Sequence, residues 1–227
     1  MTKYLDLETW YRRQTFEFFI GYTNPYFNVG TKLDVTGLLT FVRSRPGLRV
    51  SSAVHYFGLR AANETEPFRY RLKDRNIIVY DVINGGTTVL LPNESFAYAY
   101  FDYHQDFDKF VAEMSKAVDD TRNDTGPLKP TMRDDVIYHT TLPWISFTSF
   151  AHARTPGRGD SVPRFVFGKF SEENGRTMMP FSVEVHHALM DGLHVGRFLA
   201  RFEEFLADPE SFLSSNEQSP ERPRRGV

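Results

Sequence analysis

The sequence of 227 residues contains no cysteine, which excludes disulfide bonds, thiolate metal sites and a cysteine nucleophile. It has no run of about 20 apolar residues, so the pattern of a membrane-spanning helix is missing. The 27 Lys and Arg residues are balanced by 29 Asp and Glu residues, without the basic excess typical of nucleic-acid binding. No apolar stretch follows Lys3, as it would in a secretory signal, and we expect a cytoplasmic protein.

Aromatic residues, in contrast, are abundant, with 21 Phe and 11 Tyr. Aromatic rings bury a large area at little cost in side-chain entropy, so most should form a core and some should line a pocket. The contents of 41% hydrophobic and 25% charged residues are those of a soluble globular protein. We expect one domain over residues 1–212, followed by a disordered tail over 213–227 that is rich in Ser, Pro and Arg.

Hydrophobic periodicity and turn residues predict a mixture of helices and strands. Predicted helices cover residues 8–19, 35–42, 50–62, 106–117 and 192–206. Predicted strands cover 26–33, 70–72, 76–82, 87–91, 95–101, 136–148, 164–170 and 178–187, and 119–130 is predicted to be an exposed loop. Because strands and helices do not alternate strictly, the order favours an α/β two-layer sandwich, a mixed β-sheet packed by helices, over a doubly wound sheet.

The last predicted strand carries a histidine that could act as a base. Phe181, Val183, Val185 and His187 alternate with polar residues, so His187 should share the apolar face of the strand. Desolvation favours the neutral imidazole, which is the form that a general base for an alcohol needs. The structural alternative is a core histidine whose ring is satisfied by a backbone carbonyl.

The residues that follow His187 predict a rigid turn. Asp191 and Gly192 combine turn chemistry with a helix start, and the next segment has an apolar stripe that should pack on the sheet. Asp191 is therefore expected beside His187 at a strand-to-helix junction, where it would also serve as an N-cap. The string H-x-x-x-D-G alone is only suggestive of a catalytic site.

Two other chemistries fit the sequence less well. A metal site would need His186, His187 and His194 together, but strand alternation sends His186 and His187 to opposite faces and no further ligand has a suitable spacing, so we expect no metal. A Ser-His-Asp hydrolase would need a Gly-x-Ser-x-Gly elbow, which the sequence does not contain.

Three segments in order resemble one known family, the type A chloramphenicol acetyltransferases. They are the active-site signature VHHALMDGLHVGRF (185–198), the N-terminal helix WYRRQTFEFF (10–19) and the central Pro-Trp segment LPWISFTSF (142–150). The similarity runs from about residue 4 to about residue 208 with nearly collinear spacing. Three ordered motifs are far more specific than one.

The resemblance implies a two-layer α/β sandwich that forms a homotrimer with active sites at its subunit interfaces. It also implies direct transfer of an acetyl group from acetyl-CoA, a co-substrate, to the primary hydroxyl of chloramphenicol, which inactivates the antibiotic. No permanently bound cofactor is implied. By position, the catalytic base is His187, and the motif aspartate Asp191 pairs with Arg12 of the N-terminal helix in a supporting role.

Further residues of the site follow from the resemblance. A hydroxyl that stabilises the oxyanion lies four residues before the Pro-Trp tryptophan, which here gives Thr140. Four aromatic residues match positions that line the acceptor pocket: Phe18, Phe27, Phe96 and Phe150. Without the resemblance, each of these four would be interpreted as a core residue.

The sequence also departs from the family pattern in the acceptor pocket. Val166 stands where a threonine helps to bind a water, Tyr138 is larger than the usual Asn, and Phe19 replaces a Tyr near the catalytic ring. Glu184 replaces a Gln, and His152 lies in a changed run after Phe150. Two alternatives therefore stay open: an acyltransferase with another hydroxyl acceptor or acyl group, and a non-catalytic binding homologue. The H-x-x-x-D-G pattern also occurs in dihydrolipoyl acyltransferases, but this chain lacks a lipoyl domain.

Overall fold

The computed structural model describes residues 2–124, 133–154 and 160–214, which form one mixed α/β unit. The strands are Thr2–Tyr4 (β1), Tyr26–Asp34 (β2), Tyr70–Lys73 (β3), Asn76–Tyr80 (β4), Asn84–Leu90 (β5), Phe96–Phe101 (β6), Val136–Leu142 (β7), Arg164–Gly168 (β8), Ser171–Glu173 (β9) and Arg176–His186 (β10). The α-helices are Arg13–Phe19 (α1), Thr36–Arg43 (α2), Val50–Glu64 (α3), Phe107–Asn123 (α4), Gly192–Ala207 (α5) and Pro209–Ser214 (α6), and a short 3-10 helix covers Glu66–Arg69.

The large sheet has the strand order β2-β10-β8-β7-β5-β6, with β9 paired to the start of β10. Strands β5, β7 and β8 run parallel to one another, whereas β2, β10 and β6 pair in the antiparallel sense. The sheet is therefore mixed, as predicted. A second sheet of three strands, β1-β4-β3, lies outside it and was not predicted.

Helices cover one face of the large sheet and create the main core. Phe165 and Phe181 of the sheet meet Phe198 and Phe202 of α5, and all four side chains are fully buried. The predicted apolar stripe of α5 is the reason, because it presents these rings to the sheet at helical spacing. Sheet and helices thus form the two layers of the predicted sandwich.

A smaller apolar cluster joins the N-terminal segment to the second sheet. Trp10 packs against Phe16 and Tyr70, and the cluster continues to Ala188 and Leu189 in the turn after β10. The N-terminal segment is therefore anchored beside the turn that contains the motif histidine.

Several element boundaries differ from the prediction. The first helix begins at Arg13 and not at residue 8, because the Asp6 carboxylate closes a separate turn by accepting hydrogen bonds from Glu8 N and Thr9 Oγ1. Strand β7 ends at Leu142 and not at residue 148, since Pro143 has no N–H to continue the ladder.

The polar segment predicted as a loop over 119–130 is helical as far as Asn123, and 125–132 lie outside the described residues. Charged side chains form ion pairs along this part of α4, for example Lys116 with Asp120 at 2.5 Å. At the C-terminus, α6 includes residues 213 and 214, where the tail was expected to begin; Phe212 packs on Phe205 and holds this helix to α5. None of the described helices has the length and apolar character of a membrane span.

Two histidines lie in the aromatic core between α3 and β7. The His55 and His139 rings are almost fully buried, with centroids 4.5 Å apart, and the His139 ring also stacks on Phe165. Nδ1 of His55 donates to Ser51 O at 2.6 Å, whereas both nitrogens of His139 lack a hydrogen-bond partner among the described residues. Burial lowers the pKa of His55 to about 4 and the pKa of His139 well below its usual value.

These lowered pKa values predict acid sensitivity. Below about pH 6.5 these histidines bind protons in the unfolded chain but stay neutral in the folded core. Each histidine should therefore lower the unfolding free energy by about 2 kcal/mol as the pH falls from 7 to 5. The measurement is urea unfolding at both pH values and at one fixed protein concentration. In His139→Leu the fall in unfolding free energy between pH 7 and pH 5 should be smaller by the contribution of His139. The control is His104→Asn, at a half-buried histidine paired with Glu113, which should leave this fall unchanged. An unchanged loss in His139→Leu would contradict the prediction.

Candidate active site

His187 is the first residue after β10, not its last residue as predicted, and its N–H donates to Pro25 O at 2.7 Å. Its ring stacks on Phe19 with a centroid distance of 3.9 Å and an interplanar angle of 10°. The ring of Phe27 contacts the same imidazole with a centroid distance of 4.6 Å. Phe27 lies on β2, where it pairs with Val185 of β10. The imidazole therefore packs against two aromatic rings, at the end of the apolar face of β10.

The two ring nitrogens of His187 are not equivalent. Nδ1 is buried and has no hydrogen-bond partner among the described residues, and the residue as a whole is half-buried. With Nδ1 enclosed, proton exchange with a bound molecule would take place at Nε2. Such an imidazole, aromatic on two sides and open at one nitrogen, has the form of a general base.

Asp191 is the N-cap of α5 and accepts a hydrogen bond from Leu193 N at 3.3 Å. Its carboxylate forms an ion pair with Arg12, whose side chain is only 5% exposed. Partial burial raises the pKa of Asp191, but the hydrogen bond and the charge of Arg12 outweigh this and hold it below its usual value. The structure thus brings together the two residues that the sequence paired across 179 positions.

Arg12 also contacts the backbone of the motif histidine. Its Nη2 donates to His187 O at 3.3 Å, while its Nη1 bonds to Asp191. One guanidinium therefore ties the N-terminal segment to both ends of the turn between β10 and α5. We call this turn, residues 187–191, the catalytic turn.

Sequence reasoning missed two residues that contact this arrangement. His194 occupies the third position of α5, where its Nδ1 lies 3.1 Å from Asp191 N and 2.9 Å from Asp191 Oδ1. Its Nε2 lies 3.1 Å from the hydroxyl of Tyr11. The signal was available, because the third residue of a helix is the partner position of a capping box, which usually holds Glu or Gln.

Thr140 lies in the middle of the large sheet. It is paired with Val166 of β8, and Val166 is paired with Ser182 of β10, so the three share one face. Ser182 alternates with Phe181 and is directed away from the helices. Thr140 is therefore on the opposite face of the sheet from the apolar residues that lead to His187, and the two do not meet within one chain.

The other predicted acceptor residues divide between the same two regions. Phe18 is 62% exposed and packs on Phe19, close to His187. Phe27 contacts the His187 ring directly. Tyr138 is half-buried on the face of Thr140, where Tyr98 contacts it; Phe96, 48% exposed, precedes Tyr98 in the same strand. The Phe150 ring packs on Phe147 and His152 in the segment after β7. Within one chain, the predicted site residues therefore form two separate groups. Phe18 and Phe27 lie around His187, and Thr140, Tyr138 and Phe96 lie on the sheet; we call the second group the half-site on the sheet.

Val166 is fully buried and cannot donate or accept a hydrogen bond through its side chain. The substitution by Phe19 has a different result, because its ring still stacks on His187 and only a hydroxyl is missing. Within residues 2–124, 133–154 and 160–214, no three His, Asp or Glu side chains are close enough together to hold a metal ion.

A buried ionic cluster lies next to the half-site on the sheet. The Glu184 carboxylate accepts a hydrogen bond from Arg154 Nε at 2.7 Å, and Arg154 Nη1 donates to Asp160 at 2.8 Å. Burial raises the pKa of Glu184, but His152 and Arg154 outweigh this and lower it to about 2. Glu184, His152 and Arg154 line a cleft of about 1000 Å³ that extends to Tyr26. The cluster fixes the segment after β7 on the sheet.

Glu184→Gln tests this cluster. The amide would leave the buried Arg154 guanidinium with Asp160 as its remaining carboxylate, so we expect a loss of about 1–3 kcal/mol in unfolding free energy. Urea unfolding at pH 7 measures it. Glu17→Gln removes the same charge from an exposed pair with Arg13 and should change stability little. Equal, small effects of both variants would show that the cluster does not stabilise the fold.

Known proteins resemble this chain over almost its whole length. A family model described as chloramphenicol acetyltransferase matches residues 2–203. The chloramphenicol acetyltransferase of Proteus mirabilis is 28% identical over 202 residues, which are 88% of this chain and 93% of that protein. The chloramphenicol acetyltransferase 2 of Escherichia coli is 32% identical over 197 residues, which are 86% of this chain and 92% of that protein.

Solved structures agree with this relationship. A structure of a chloramphenicol acetyltransferase superposes with a TM-score of 0.81 at 28% identity, over 91% of this chain and 100% of that chain. A dihydrolipoamide acetyltransferase of Azotobacter vinelandii gives 0.67 at 17% identity, over 88% of each chain, and shares the fold alone. The chain described here belongs to the chloramphenicol acetyltransferase family, a family of enzymes.

Proposed function

We propose that this protein is an acetyl-CoA-dependent O-acetyltransferase that acetylates a hydroxyl of chloramphenicol, with His187 as the general base. Family membership supports the reaction, and the contacts of His187 support the role of the base. The ring packs on Phe19 and Phe27 while Arg12 holds the backbone carbonyl of the same residue. This double support of a single imidazole is the observation that carries the proposal.

The proposed reaction is a direct transfer. Nε2 of His187 takes the proton of the acceptor hydroxyl as its oxygen attacks the thioester carbonyl of acetyl-CoA. The carbonyl oxygen becomes negatively charged in the tetrahedral intermediate, and the hydroxyl of Thr140 donates a hydrogen bond to it. The C–S bond then breaks, and the imidazolium returns the proton to the CoA sulfur, which leaves as the thiol. No group remains on the enzyme, and acetyl-CoA is consumed as a co-substrate.

We propose that the complete site forms between copies of the chain in a homotrimer. Thr140 and His187 lie on different faces of the sheet and need a second copy to meet. The two groups of predicted site residues also leave large apolar side chains exposed, including Phe18 and Phe96, and exposed apolar patches of this kind mark interaction surfaces. In this arrangement His187 of one subunit acts with Thr140 of its neighbour.

A second candidate is acyl transfer to a different hydroxyl acceptor. Val166 favours it, because its fully buried side chain can bind no water beside Thr140, and Tyr138 adds bulk to the same face. A panel of hydroxyl-bearing acceptors, assayed against chloramphenicol, distinguishes the two functions. A much faster acceptor would identify another physiological substrate. For the chloramphenicol reaction we propose action in the cytoplasm, with antibiotic resistance as its consequence.

Replacement of the base tests the reaction. We expect the purified wild-type protein to release CoA thiol from acetyl-CoA in the presence of chloramphenicol, and His187→Ala to lower kcat by about 10²–10⁴-fold, since proton transfer then depends on water. His104→Ala, at a histidine paired with Glu113, should keep wild-type kcat. No turnover by the wild-type protein at saturating substrate would refute the proposed function, and full activity of His187→Ala would refute the proposed base.

Subunit mixing tests the shared site. Thr140→Val keeps the shape but loses the hydroxyl, and we expect a loss of about 10²-fold in kcat, whereas Thr140→Ser should stay active. Unfolding and refolding the inactive His187→Ala and Thr140→Val proteins together should restore activity. Each hybrid interface that joins Thr140 of the first variant to His187 of the second is intact. If the two residues act within one chain, mixing will restore nothing.

A further inference from the structure

A chain of contacts leads from the surface to the backbone of His187. It begins at Tyr11, whose side chain is 78% exposed, and passes through the buried ring of His194 to Asp191. From Asp191 it continues through Arg12 to the carbonyl oxygen of His187. Tyr11 and His194 have no place in the reaction described above, yet both contact the support of its base.

The position of His194 explains why a histidine suits it. As the third residue of α5, it accepts from Asp191 N through Nδ1, at 3.1 Å. A Glu or Gln would complete the same capping box, but its contacts would end there. The imidazole has a second nitrogen on its far side, and this nitrogen reaches Tyr11 at 3.1 Å. The ring is therefore fixed at both ends.

Asp191 needs this second hold. Its side chain is 35% exposed, and the ion pair with Arg12 engages only one carboxylate oxygen, Oδ2. Oδ1 accepts a hydrogen bond from Leu193 N at 3.3 Å. His194 Nδ1 accepts from Asp191 N and so holds the main chain of Asp191, whereas Arg12 holds its side chain, and together the two contacts fix this residue at the start of α5.

We propose that His194 is a positioning residue for the acetyl transfer: it fixes Asp191 and the catalytic turn, and so the ring of His187, while Tyr11 holds the His194 imidazole in place. This rests on the proposed function. A displacement of about 1 Å at a reacting group can cost about 10²-fold in rate, so a loose turn should appear in kcat. Neither residue contacts the half-site on the sheet, so KM should change little.

Three variants separate the two contacts of the ring. The Asn oxygen of His194→Asn replaces Nδ1 and keeps the bond from Asp191 N, but the shorter side chain loses the contact with Tyr11. His194→Ala loses both, and Tyr11→Phe removes only the hydroxyl that contacts His194 Nε2. The matched control is His104→Asn, the same change at a histidine far along the chain that pairs with Glu113.

Steady-state kinetics and amide hydrogen exchange of the catalytic turn give independent results. We expect His194→Ala to lower kcat by about 10–100-fold with KM within about 2-fold, and to speed exchange in a peptide covering 186–191. His194→Asn should keep kcat within about 3-fold, Tyr11→Phe should lose less than His194→Ala, and His104→Asn should match the wild type.

Three outcomes would overturn the proposal: faster exchange in His194→Ala with unchanged kcat, no change in either measurement, or an equal loss in His194→Asn and His194→Ala. A wild-type protein that does not turn over chloramphenicol would refute the proposed function instead. In that case, the difference in exchange between His194→Ala and His194→Asn would still decide whether His194 holds the turn.

Discussion

The ion pair between Arg12 and Asp191 is the interaction on which the site depends. Asp191 caps α5, the helix whose aromatic stripe fills the core, and Arg12 lies in the segment that packs through Trp10 against the second sheet. The guanidinium joins both to the carbonyl of His187. Because Arg12 is buried, removal of Asp191 would leave an uncompensated charge inside the protein, which is far more costly than the loss of a surface pair. The packing of α5 and the position of His187 therefore depend on the same contact.

The alternation of strand β10 explains why the proposed base and Thr140 do not meet within one chain. Its alternation directs Phe181, Val183 and Val185 into the helical layer, where they are fully buried, and Ser182 and Glu184 to the other face. His187 follows at the end of the apolar side, whereas Thr140 belongs to the row of Ser182. A sheet cannot present both residues to one substrate, since successive side chains leave it on opposite faces. The geometry of the strand itself thus favours a site shared between copies.

The parts of the fold that the sequence predicts well are those governed by local periodicity. The apolar stripe of α5 and the alternation of β10 are strong signals, because each extends over several turns or residue pairs. The N-terminal helix was predicted too long because residues 8–12 contain no helix breaker, although Asp6 closes an isolated turn there. The second sheet was missed since its pairing joins β1 to β4 across more than 70 residues, and no local pattern encodes such a partner.

For the candidate site, too, local patterns were predictable from the sequence and contacts between distant strands were not. Periodicity, turn chemistry and family resemblance selected His187, Asp191 and Arg12, and the structure brings these three together. Strand register, which the sequence does not reveal, separates Thr140 from them within the chain. His194 was weighed only as a metal ligand, although its place in the capping box could have indicated its contact with Asp191. The buried pair of His55 and His139 had no signal at all, because two residues 84 positions apart meet only through packing.

Substitutions should destabilise the protein more around His187 than in the proposed acceptor pocket. Next to the catalytic turn, Arg12 and His194 are buried and each is bonded to Asp191, so replacing any one of the three leaves a partner with an unsatisfied polar group. Phe18 and Phe96 are exposed in the chain, and substitutions there leave no buried group without a partner. An acceptor pocket built from such side chains can take a new shape at little cost in stability, while the proposed base and its support cannot. Of the departures from the family pattern, the half-buried Tyr138 agrees with this division, whereas Val166 does not, because it is fully buried and a change there must be accommodated by the packing around it.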